Sequence, residues 1–102
     1  TSCFAEKWLA NADRWNDVSA LSRDAIDLAF MLRAWPSQDA QAGVLLAEKA
    51  YGGAIGRSAQ SAAARLSDPV YRKQCAANLA IDNAKALLAA QRKLEQFAAT
   101  LS

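Results

Sequence analysis

The chain has 102 residues, of which 12 are basic, 10 acidic and none histidine, for a formal charge of +2. That length suits one domain over 1–102. Charges so evenly balanced and interspersed argue against nucleic acid as a partner, which would need a clustered basic face. Twenty-five alanines, few Val or Ile, four glycines and two prolines exclude a turn-rich β fold and point to an all-α one.

Pro36 and Pro69 divide the sequence into three segments of roughly 30 residues, each with helical character. In the first, Phe4, Trp8, Ala12, Trp15, Val18, Leu21, Ile26 and Ala29 gather on one side of a wheel at about 100° per residue. Asp13, Asp17, Asp24 and Asp27 gather opposite. Asn16-Asp17-Val18-Ser19 is the weak point, because short polar side chains there compete for backbone N–H groups and cap helices. Trp35-Pro36 ends the segment, since a residue before proline leaves the α region.

In the second segment Ser37 is the expected N-cap, with Asp39 near the positive end of the helix dipole. Gly52-Gly53 is a credible kink, each glycine costing about 1 kcal/mol against alanine in a helix. The third segment opens with Ser67-Asp68-Pro69, a cap followed by proline at the first helical position. From there the pattern predicts one helix to about Ala99, with Arg72, Lys73, Lys85, Arg92 and Lys93 scattered around it. The expected architecture is an all-α antiparallel bundle of three long helices, four or five if the first or second is broken.

In such a bundle Cys3 and Cys75 lie at the same end. Their even count, wide spacing and lack of a Cys-x-x-Cys motif favour a structural disulfide. A disulfide implies export, so the expected location is periplasmic or secreted, with the cytoplasm as alternative. No apolar run approaches the roughly 20 residues of a membrane span.

Without histidine there is no common general base and no His-ligated haem. The aspartate pairs at i,i+4 and i,i+3 could in principle bind a divalent cation, but they face away from the core and lack inward Glu-x-x-His partners. No metal, cofactor or enzymatic activity is therefore expected. Leu28, Met31 and Trp35 fall on the acidic side of the first helix, at its C-terminal end. Together with Asp13, Asp17, Asp24 and Asp27 they form a candidate partner-binding surface of apolar anchors and a charged rim. The function read from these features is a non-enzymatic protein-binding module. It would be an inhibitor or immunity-type protein, or an accessory subunit of a secretion or envelope system, with another protein as partner. The alternatives are a small-molecule or lipid carrier using the interior between Trp8, Trp15 and Tyr51, and a cytosolic regulator or chaperone.

Overall fold

A computed structural model describes residues 2–17, 20 and 22–101. Six helices follow one another: α1 Ser2–Arg14, α2 Arg23–Ala34, α3 Ser37–Tyr51, α4 Ala54–Leu66, α5 Pro69–Asn78 and α6 Ala84–Ala99. The described residues include no strand. The all-α expectation holds, but the three long helices do not. The longest dimension is 34 Å, whereas a straight 30-residue helix would measure about 45 Å. Each third of the chain is instead folded back in its middle.

The two proline corners lie where the sequence places them. Trp35 is extended (φ −124°, ψ 158°), as a residue before proline must be. Asp68 caps α5, its carboxylate accepting from the Val70 N–H at 3.0 Å, with Pro69 in the first turn. Ser37 is the first helical residue of α3 rather than its cap.

The three interior breaks have separate causes. The first lies between Arg14 and Arg23, at the polar weak point; Val18, Ser19 and Leu21 fall outside the described residues. Ser22 there takes a left-handed conformation (φ 57°), and its hydroxyl bonds Tyr71 Oη at 2.8 Å instead of capping α2. At the second, Gly52 adopts φ 59°, ψ −140°, a region open essentially to glycine alone. The third, at Leu79–Asn83, has no glycine or proline. The Ile81 N–H donates to Ala76 O at 2.8 Å and the Ala80 N–H to Ala77 O at 3.4 Å, with Ala80 at φ 56°. This is a Schellman end in which alanine holds the position glycine usually takes. Asn83 then caps α6 by accepting from the Ala86 N–H at 3.0 Å.

α1 packs on α2, α3 and α4, and α4 on every other helix, while α5 lies against α4 and α6. Trp8 is fully buried at the centre. Its ring stacks on Phe97 (5.5 Å between centroids, 16° between planes), and its indole N–H donates to Ala40 O at 3.2 Å. One side chain of α1 thereby joins α3 and α6. Asn11, close along the helix, is also buried, and neither amide atom has a hydrogen-bond partner among the described residues.

α1 and α3 run in the same direction, from Phe4 against Gly43 at one end to Asp13 against Tyr51 at the other. A Cβ on Gly43 would lie 2.5 Å from Phe4 Cβ and 3.0 Å from the Ala5 nitrogen. α2 is held antiparallel to α1 by a carboxylate clamp. Arg14 Nε donates to Asp24 Oδ2 and Arg14 Nη2 to Asp24 Oδ1, both at 2.9 Å. Lys7 reaches Asp27 at 2.7 Å and Asp24 at 3.6 Å.

Three outcomes are expected in thermal and urea melts. Gly43→Ala should destabilise by about 1–3 kcal/mol, because overpacking at the α1–α3 crossing outweighs the gain in helix propensity. Ala80→Gly should stabilise by roughly 0.5–1 kcal/mol, since a non-glycine residue pays about 1–2 kcal/mol for the left-handed region and glycine offsets part of that by losing more chain entropy. Asp24→Asn should cost about 1.5–3 kcal/mol, the range for hydrogen bonds to charged groups.

Candidate functional site

The candidate docking surface divides when placed on this fold. Asp24 is 4% exposed and clamped by Arg14, and Leu28 is 1% exposed in the core. Neither can meet a partner. The helical wheel misplaces them because α1 and α2 are separate helices, so the phase counted along α1 does not carry into α2. Asp27 is tied to Lys7, whose ammonium pKa is raised by that hydrogen bond. Asp13 accepts from the Tyr51 hydroxyl at 2.9 Å, which raises the phenol's pKa. Asp17 lies beyond the end of α1, its backbone N–H donating to Arg14 O at 2.9 Å. Met31 is half-buried and Trp35 is 55% exposed. The seven residues do not form one face.

The disulfide expectation is also corrected: Cys3 and Cys75 are both free thiols. Cys3 is exposed on α1, which packs on α2, α3 and α4, whereas Cys75 is buried on α5, against α4 and α6. The break at Leu79–Asn83 gives α5 its own direction, so it is not the start of a long helix parallel to the first. Burial raises the pKa of the Cys75 thiol. The argument for an exported chain rests on that bridge and falls with it.

Trp8, Trp15 and Tyr51 do not enclose a chamber. Trp8 fills the core, Trp15 is half-buried, and Tyr51 is exposed at the surface with its hydroxyl on Asp13. Of the open clefts elsewhere among the described residues, two carry more than one basic residue. The first, of about 310 Å³, runs between α5 and α6; Ala76, Leu87 and Leu88 give it an apolar lining, and Arg72, Lys73 and Lys85 are its charged residues. These cations look scattered when placed on a single helix. They converge because the chain turns between α5 and α6, and Asp82-Asn83 is the capping signal from which that turn was readable. Arg72 Nη1 also donates to Leu66 O at 2.8 Å, closing the end of α4.

The second cleft, of about 460 Å³, lies at the corner where α2 passes into α3, against α6. Trp35 and Phe97 supply its aromatic surface, Arg33 and Lys93 its charge, and Gln41 and Gln96 its amides. Trp35 also borders a smaller pocket with Cys3, Phe4, Met31 and Asp39, where it meets Phe4 edge-on at 6.5 Å. Of this arrangement the sequence marks only Trp35, since the other residues come from three separate helices.

Among the described residues, no group of three or more His, Cys, Asp or Glu could hold a metal ion, and no helix is long and apolar enough to cross a membrane. A match to a protein-family model covers residues 1–101, and that family is the nucleotidyl transferase AbiEii toxin of the type IV toxin–antitoxin system. No curated protein and no solved structure matches the chain. The family match overturns the expectation of a non-enzymatic inhibitor or immunity-type module, and with it the carrier and chaperone alternatives, because the family is an enzymatic one. It also supplies a kind of partner, since a toxin of such a system has an antitoxin as its counterpart. The chain belongs to the AbiEii nucleotidyl transferase toxin family.

Proposed function

We propose that the chain serves the nucleotidyl transfer of an AbiEii-type toxin by holding a phosphate-bearing reactant, and that the α5–α6 groove is where it does so. In nucleotidyl transfer an acceptor attacks the α-phosphorus of a nucleoside triphosphate. The bond from that phosphorus to the bridging oxygen breaks, and pyrophosphate leaves with the electron pair. The triphosphate, the transferred nucleotide and the pyrophosphate all carry phosphate, so a surface that serves the reaction presents cations to them. The carrying observation is that Arg72, Lys73 and Lys85 all border one groove with no carboxylate among its lining residues.

Several of the aspartates are already committed to the fold. Asp24 and Asp27 are bound by Arg14 and Lys7, and Asp13 by Tyr51. Lys73 and Lys85, by contrast, make no ion pair among the described residues.

The test is label transfer from an α-labelled nucleoside triphosphate to acceptors in a cell extract by the purified toxin. Lys73→Glu with Lys85→Glu is expected to lower transfer at least about tenfold, the lower end of what a steering cluster contributes, with the thermal melt unchanged. Lys49→Glu with Arg57→Glu, the same charge change at exposed positions outside the groove, should leave transfer intact. Unchanged transfer in the first variant, or equal loss in both, would remove the groove from the reaction.

A further inference from the structure

The geometry points to the Trp35 corner as a nucleotide-binding cleft, separate from the α5–α6 groove, with the base against the Trp35 ring and phosphate on Arg33 and Lys93. The inference rests on the nucleotidyl-transfer reading for its choice of ligand. Its structural basis is independent of the groove. The cleft is about 460 Å³, within the roughly 300–1,000 Å³ of small-molecule sites.

It brings together the three kinds of group that nucleotides require. Trp35 is a large, 55% exposed aromatic side chain, and a nucleobase stacks on such a ring whatever its sequence identity. Gln41 and Gln96 stand in the same lining with side-chain amides that make no hydrogen bond among the described residues. An amide offers both a donor and an acceptor to a base edge. Lys93 makes no ion pair among the described residues, and Arg33 uses only Nη1, on Ala86 O at 3.3 Å, leaving its other N–H groups for phosphate. No carboxylate lines the cleft. Asp39, in the first turn of α3, borders the neighbouring pocket on the Cys3 side of Trp35 instead. An acidic peptide could use the two cations but would leave the ring and both amides without a purpose.

The experiment follows the Trp35 indole N–H signal by NMR, assigned by its loss in Trp35→Phe, during titration with ATP, a single-stranded uridine hexanucleotide or inorganic triphosphate. ATP or the oligonucleotide should shift the signal saturably. Triphosphate alone should produce no ring-current shift. Preference for ATP would identify the occupant as the free nucleotide, and preference for the hexanucleotide as a strand end; both support the site. Affinity should fall about tenfold in Trp35→Ala, the scale of one base–aromatic stack. Trp35→Phe should retain most of it, and Lys93→Glu should weaken it severalfold. No shift with either ligand up to millimolar concentration, or wild-type affinity in a folded Trp35→Ala protein, would overturn the inference. Lys73→Glu with Lys85→Glu should leave this titration unchanged, so failure of the groove and failure of the cleft read out separately.

Discussion

The indole of Trp8 is the constraint around which the other helices are arranged. It stacks on α6, donates to a carbonyl of α3 and is excluded from water. Ten of the buried positions among the described residues are alanine: Ala5, Ala25, Ala29, Ala40, Ala47, Ala59, Ala62, Ala63, Ala90 and Ala98. A core of alanines offers little area per residue, so the helices must approach closely to bury enough of it. Gly43 against Phe4 is the extreme of that approach. Asn11, buried with both amide atoms unpartnered among the described residues, adds an opposing cost of about 1–3 kcal/mol per unsatisfied group. α1 thus carries both the central indole and an unfavourable group, and the Asp24 clamp helps to hold it in place.

Much of the chain's punctuation was legible. Pro36, Pro69, Gly52-Gly53 and the polar run after Trp15 all mark real ends, each through a local backbone restriction. The break at Leu79–Asn83 was missed because Ala80 occupies a conformation its side chain does not favour. That choice is imposed by the Ile81–Ala76 closure, which the alanine itself does not signal. Phase explains the other errors. A wheel is valid only within one helix, so Asp24 and Leu28 were assigned to the wrong face once a break intervened, and the basic residues of α5 and α6 looked scattered. The stray position of Leu28 on the acidic side was itself evidence that the wheel had lost register.

The enzymatic family was not legible for a related reason. Nucleotide-binding and phosphate-binding loops betray themselves through glycines at short spacing. The clefts here carry no such loop: Arg33 and Trp35 meet Lys93 and Gln96 from distant segments in one, and Arg72, Lys73 and Lys85 border the other from two successive helices. No short motif contains the first set, and the second straddles the turn between α5 and α6. Absence of histidine and of metal-ligand motifs therefore speaks only about reacting groups. It carries no information on surfaces that hold a charged reactant in place.

Trp35 owes its setting to the proline that follows it. Its own N–H is bonded to Met31 O at 2.9 Å, and Pro36 keeps its backbone extended. Phe4 stands against it in a T-shaped arrangement, the ring centroids 6.5 Å apart. A large exposed aromatic side chain usually samples several orientations and must lose that freedom when it is covered. Here the fixed backbone and the Phe4 contact remove part of that freedom during folding, and the part so removed is not lost again in recognition.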